Sequence, residues 1–292
     1  MTFNEGSEIN TTTVRRRRRT TGAAIGGGGA LIAVALFVVS QLTGFDLTGL
    51  VNTAPQNESS QSDEVVAGCT GADANAPANV DCRMSGGADS LDAYWNRVFE
   101  NSGGQYLAPT VTLFDEDVAT ACGVASSAVG PFYCPADQVI YIDTAFFAQL
   151  QNQFGAQGGS LAEMYVLAHE WGHHIQFLTG TLDNVDHSDT GPQSSAVRSE
   201  LQADCYAGAW IAGASTTPDD GGTPLLKPVT EEELAQALDA ARVIGDDAIQ
   251  ESTGQNANPD GWTHGSSEQR QTWLMNGFEG GAGACDTWSG TV

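Results

Sequence analysis

The sequence predicts an α+β domain behind an amino-terminal membrane helix. Two short β-branched and aromatic segments, Thr110–Phe114 and Gln138–Asp143, read as strands. They are preceded by one amphipathic helical segment and followed by several, so the order is helix, strands, then helices rather than strict alternation. Residues 20–45 carry no charge and follow an arginine run, Arg15 to Arg19.

That first segment sets the expected topology. Its apolar centre, Ala30 to Val39, follows Gly26 to Gly29. A helix needs about 20 apolar residues to cross a bilayer, so residues 22–45 are long enough. The arginines would keep residues 1–21 as a basic cytoplasmic tail by the positive-inside rule. A cleaved signal peptide shares this charge order, but no small-x-small site directly follows the apolar run. The expectation is therefore an uncleaved, single-pass anchor in the cell membrane, amino terminus cytoplasmic and body extracytoplasmic. Residues 46–66, rich in Thr, Asn, Gln, Ser and acids, read as a flexible linker. The folded domain is expected over residues 67–292, with no internal repeat.

Within that domain, Ser90 followed by Leu91–Phe99 reads as a serine-capped helix. A Gly/Ser/Pro-rich stretch between the two strands holds Cys122 and Cys134. Thr144 to Phe154 reads as a helix. Ser160 and Glu163 have the spacing of a capping box, and Gly180 is a natural stop. A further helix is expected from about Ser194 to Ala214. Another starts at Thr230, with Glu231 to Glu233 in a first turn where acids suit the helix dipole.

The 292 residues carry 11 Lys+Arg against 36 Asp+Glu, a net charge of −25. Such a chain repels phosphate, which argues against nucleic-acid binding; beside a spanning helix, topology explains the arginine run more simply. All six cysteines lie in the acidic body, an even count that suits disulfides in an oxidising compartment. No CxxC or Cys/His zinc-finger spacing is present. Cys69–Cys82, Cys122–Cys134 and Cys205–Cys285 are the preferred pairs: the first two by proximity, the third because it would pin the tail to a helix.

The chemistry concentrates in His169-Glu170-Trp171-Gly172-His173. Histidines at i and i+4 share one helical face, so their ring nitrogens can converge on one metal ion. Glu170 is placed to act on a water at that metal as general base. Zinc suits two imidazoles and a carboxylate with an open position. The flanks are uncharged, unlike those of a polar surface helix. Downstream, Glu200 is the candidate third ligand. Asp204, one turn on, is the candidate hydrogen-bond partner of a ligand imidazole. The bland readings are two satisfied helix-face histidines and a surface acid paired with Arg198. His174 points about 100° away from His173. His187 lies in an Asp-rich loop without EF-hand spacing. Trp171, Ile175 and Leu178 read as core. Gly172 either admits a close backbone or substrate, or relieves packing.

His-Glu-x-x-His followed by Glu-x-x-x-Asp on a later helix resembles the gluzincin signature of thermolysin-like peptidases. Four stretches, Gly130–Gln138, His169–Gln176, Glu200–Gly208 and Thr263–Arg270, resemble the putative neutral zinc metallopeptidase family. The resemblance runs from Arg15 to Cys285. It implies a zincin-like domain in which a small sheet is joined to an active-site helix and a ligand helix. It also implies one zinc per chain, held by His169, His173 and Glu200, with Glu170 as catalytic base and Asp204 behind a ligand. His264 resembles the downstream histidine that donates to the oxyanion. The implied activity is that of a membrane-anchored, extracytoplasmic zinc metalloendopeptidase acting on peptide or protein substrates. The alternatives are a non-hydrolytic zinc-binding envelope protein, serving as a binding or scaffold module, and a zinc hydrolase acting on other amides.

Overall fold

A computed structural model describes residues 1–10, 12–19, 61–126, 129–186, 188–218 and 222–292. Val14–Arg19 (β1) and Gln61–Val65 (β2) are followed by Gly71–Asn75 (α1), Val80–Ser102 (α2) and Thr110–Phe114 (β3). Val118–Thr120 (β4), Gly123–Ala125 (β5), Phe132–Cys134 (β6) and Val139–Asp143 (β7) complete the strands. Then come Phe146–Asn152 (α3), Ser160–Leu178 (α4), Ser195–Gly213 (α5), Glu231–Val243 (α6), Asp246–Ser252 (α7) and Ser267–Gly280 (α8). The α+β expectation holds.

The main sheet has the order β2-β1-β3-β7-β6. β1, β3 and β7 run parallel, with antiparallel β2 and β6 at the edges. Four of the five positions in each of β3 and β7 are buried. Burial on both faces explains their near-continuous apolar sequence. β4 and β5 form a separate ribbon, which Cys122–Cys134 ties to β6. Cys69–Cys82 and Cys205–Cys285 are also formed, so all three expected pairs are present.

The amino terminus corrects the expected domain boundaries. Residues 1–19 are not a separate tail, and the linker does not extend to residue 66. β1 lies between β2 and β3, with Arg19 opposite Gln61 and Val14 opposite Val111. Met1, Phe3, Ile9 and Val14 are buried in the main core. The arginine run forms a strand because the acidic body supplies partners. Arg16 pairs with Asp115 and Asp81, and Arg17 with Asp63 at 2.6 Å. The expected span, residues 22–45, lies outside the described residues, as does the linker up to residue 60. Among the described residues no helix is long and apolar enough to cross a membrane.

Local differences have local causes. α2 starts ten residues before the expected Ser90 cap, because Asn79 caps it by accepting from the Cys82 amide. Ser90 is interior and accepts from Trp210 Nε1 at 3.2 Å. Gly86 and Gly87 do not break the helix: a Cβ on Gly86 would stand 2.5 Å from the Phe3 ring. The expected Ser160–Glu163 capping box does not form. Gly159 is the cap residue, and Glu163 instead pairs with buried Arg83 at 2.6 Å. The boxes of Thr230 with Glu233 and Ser266 with Gln269 do form. Thr144 and Phe154 fall outside α3, one turn being lost to loop.

Helix contacts place the site. A Cβ on Gly172 would lie 2.8 Å from Ala203 Cα, so this glycine admits the α5 backbone rather than substrate. Gly208 and Gly277 do the same between α5 and α8, where an added Cβ would lie within 2 Å of a facing carbonyl oxygen.

Burying four large apolar side chains contributes about 6–12 kcal/mol at about 1.5–3 kcal/mol each, comparable to the whole stability of an ordinary domain. A chain starting at Gln61 also leaves the β3 edge unpaired. Such a truncation is expected to be unfolded or aggregated by circular dichroism and gel filtration, and a peptide of residues 1–19 added in trans should restore folding. A cooperatively folded truncation without the peptide would show that β1 is dispensable.

Candidate metal centre

The ridge of α4 that faces α5 carries His169 and His173 one turn apart, as the i, i+4 spacing requires. Their rings stand nearly perpendicular, with centroids 4.8 Å apart. Glu200, in the second turn of α5, faces both. Its Oε2 lies 3.1 Å from His169 Nε2, and its Oε1 lies 3.5 Å from His173 Nε2. The three residues offer one donor atom each, all within 4.8 Å of one another. Ligands of a tetrahedral zinc at ordinary bond lengths sit about 3.3 Å apart, so the set fits zinc and leaves a position open. Arg198 does not compete for Glu200. It donates to the Thr287 and Gly290 carbonyls of the carboxyl-terminal tail.

Each imidazole is oriented through its other nitrogen. His169 Nδ1 donates to Asp204 Oδ1 at 2.8 Å, and His173 Nδ1 donates to Gln176 Oε1 at 2.8 Å. In the neutral rings the lone pair then lies on Nε2, the atom that a metal would take. Asp204 is fully buried and has further donors: Tyr165 Oη at 2.5 Å, Arg270 Nε at 2.9 Å and Arg270 Nη2 at 3.0 Å.

The charges are tightly coupled. Burial disfavours a charged His169, but Asp204 and Glu200 outweigh it and push its pKa up to about 10. Burial likewise opposes ionising Glu200. The facing His173, His169 and His264 overcome it and hold the carboxyl well below its ordinary range. For Asp204 the same opposition is overcome by Arg270 and His169. Glu170 moves the other way: burial raises its carboxyl, against the partial compensation of His169 and His173. A raised carboxyl suits a group that takes a proton and returns it.

His264 lies in the turn before α8, near enough to Glu200 for their charges to interact. Its Nδ1 donates to Asp246 Oδ1 at 3.2 Å, while Asp246 Oδ2 accepts the backbone amides of Thr263, His264 and Gly265 at 2.7–3.0 Å. Asp246 thus fixes both the turn and the ring, and leaves Nε2 as the second donor. Burial opposes charge on His264, yet Asp246 and Glu200 raise its pKa. His174 takes no part: its Nε2 donates to the Leu107 carbonyl at 2.7 Å, and its Nδ1 accepts from Tyr133 at 3.0 Å. His187 lies outside the described residues.

The family model described as putative neutral zinc metallopeptidase matches residues 4–288. The chain belongs to that family. Its model reaches back to residue 4, in keeping with an amino terminus that is part of the domain. The chain is also similar to an uncharacterized protein of Mycobacterium tuberculosis, 46% identical over 99% of this chain and 98% of the relative. A Mycobacterium bovis protein matches equally. The Escherichia coli uncharacterized protein YpfJ is 33% identical over 90% of this chain and 87% of its own length. No solved structure matches.

All six expected site residues lie in this region. The spacing of Tyr165, one turn before His169, and of Gln176, one turn after His173, put both on the right face without revealing their partners. Arg270 ends a motif that resembles the family's but carried no role. Asp246 gave no sequence signal.

Metal uptake must displace the proton that His169 holds below about pH 10. Zinc affinity is therefore expected to rise with pH, by about tenfold per unit for one displaced proton. Calorimetry in two buffers of different ionisation enthalpy reads that proton directly. Zinc binding at pH 7 without proton release would show that His169 is already neutral.

Proposed function

We propose that this protein is a zinc metalloendopeptidase that hydrolyses peptide bonds outside the cytoplasm. The observation that carries the reading is the convergence of His169 Nε2, His173 Nε2 and a Glu200 carboxylate oxygen at zinc-ligand separations, with Glu170 beside them. When bound, zinc supplies the Lewis acidity that activates a water and polarises the scissile carbonyl. Glu170 takes the proton from the attacking water and passes it to the leaving amine. His264, its Nδ1 committed to Asp246, donates from Nε2 to the developing oxyanion. Asp204 and Gln176 keep the imidazoles in register throughout.

The test uses the full chain loaded with zinc and a diverse peptide mixture, with new termini read by mass spectrometry. Glu170→Gln is expected to retain one zinc and lose about 10²–10⁴-fold in turnover. His173→Ala should lose the metal. Equal cleavage by Glu170→Gln would end the assignment. A zinc-loaded wild type that cleaves nothing would favour the non-hydrolytic envelope protein.

Three disulfides support an oxidising compartment. The uncharged residues 22–45 support attachment to a membrane. The pairing of β1 with β2 and β3 supports an amino terminus on the same side as the catalytic domain rather than in the cytoplasm. Arg16 and Arg17 of the run that suggested otherwise are held by acids of the domain. Cysteines placed singly at the exposed Glu5 and Glu64 should react equally with an impermeant maleimide in intact cells. Labelling of Glu64→Cys alone would return the tail to the cytoplasm.

A further inference from the structure

His169 and His173 are oriented by different chemistry. His169 leans on a charged carboxylate; His173 leans on a neutral amide whose partners reach the carboxyl-terminal tail. Gln176 is fully buried and makes four hydrogen bonds, as many as its side chain can hold. Its Oε1 accepts from His173 Nδ1 at 2.8 Å and from Ser199 Oγ at 3.0 Å. Its Nε2 donates to the Ser199 carbonyl at 2.7 Å and to Gln202 Oε1 at 3.1 Å. Gln202 Nε2 in turn donates to the Cys285 carbonyl at 2.8 Å, and Cys285 is bonded to Cys205 on the same helix as Gln202.

The direction of this chain is not arbitrary. A backbone carbonyl only accepts, so the Cys285 carbonyl forces the Gln202 amide group toward the tail and its oxygen toward Gln176. That oxygen and the Ser199 carbonyl both demand donors, which turns Gln176 Nε2 toward them and its oxygen toward His173. An oxygen facing Nδ1 requires the proton on Nδ1. The lone pair then lies on Nε2, the atom that faces Glu200. With the Gln176 amide reversed, an NH₂ group would face Nδ1, drive the proton to Nε2 and block the metal; with Gln202 reversed, its own NH₂ would face Gln176 Nε2 and press that amide toward reversal.

We propose that the Cys205–Cys285 disulfide acts through Gln202 and Gln176 as a tautomer relay, so that attachment of the carboxyl-terminal tail sets how tightly His173 holds a divalent metal. Gln176 and Gln202 are positioning residues and touch no substrate. The proposal rests on His173 being a ligand. It makes the metal affinity of the site depend on an oxidising compartment: losing the disulfide frees the Cys285 carbonyl from its fixed place, and the relay loses its end stop.

The full chain is titrated with zinc alone against a competing chelator. Cobalt(II) absorption reports ligand geometry, and the melting temperature of the metal-free protein reports stability. Gln176→Met is expected to weaken zinc about 10–100-fold, as losing the partner of a ligand imidazole does elsewhere. Gln202→Met and the pair Cys205→Ala/Cys285→Ala should each weaken it and alter the cobalt spectrum. Combining them should weaken it by less than the product of the separate factors, because both cut one chain. Gln202→Met leaves the disulfide intact, which keeps the test open if the cysteine variant fails to fold. Zinc affinity and cobalt spectrum unchanged in Gln202→Met, or multiplicative losses in the combination, would overturn the relay. His173→Ala separates the two readings: if it still binds zinc normally, the ligand assignment fails as well.

Discussion

A carboxylate with no access to water has to be paired, and Asp204 is such a group. Leaving it charged and alone would cost several kcal/mol, a large share of a domain's stability margin, so the fold must bring its partners to it. Those partners come from two other helices: Tyr165 and His169 from α4, and Arg270 from α8. The three helices are therefore locked at the place where the candidate ligands meet. Gly172, Gly208 and Gly277 allow the backbones to come close enough for these short contacts. Orientation of His169 is thus inseparable from packing of the helical half.

The two imidazoles are held by supports of different electrostatic character. The charged support offsets one carboxylate against one guanidinium, so it orients His169 without adding net charge. The neutral support reaches His173 through amides and ends at a covalent crosslink. Asp246 gives His264 a third support, anchored by three successive backbone amides. Each of the three imidazoles that the proposed chemistry needs is thus fixed by a group that does not itself react. Such preorganisation is what an electrostatically catalysed hydrolysis requires.

The sheet half is governed by charge in another way. An arginine run is a poor strand on propensity and would repel itself. Alternation sends Arg16 and Arg17 to opposite faces, and acids meet them there: Asp115 after β3 and Asp81 on α2 for Arg16, Asp63 from β2 for Arg17. The strong acidity of the body, which says little about fold by itself, is what makes this central strand tolerable.

The sequence by itself determined what depends on spacing within one element. Two histidines four residues apart share a helix face wherever that helix sits, and Glu200 and Asp204 repeat the relation on α5. The strand segments, the stop at Gly180, the cap at Thr230 and the cysteine pairing were legible for similar reasons. Tertiary structure alone decided which groups stand across from one another. It turned the arginine run into a strand, because its acidic partners are distant in sequence. It drew Glu163 from a cap to Arg83, because a buried guanidinium needs a charged partner more than a helix-end amide does. It gave Arg270, Gln176, Gln202 and Asp246 their roles, because a hydrogen bond between elements depends on a helix crossing that no local pattern encodes.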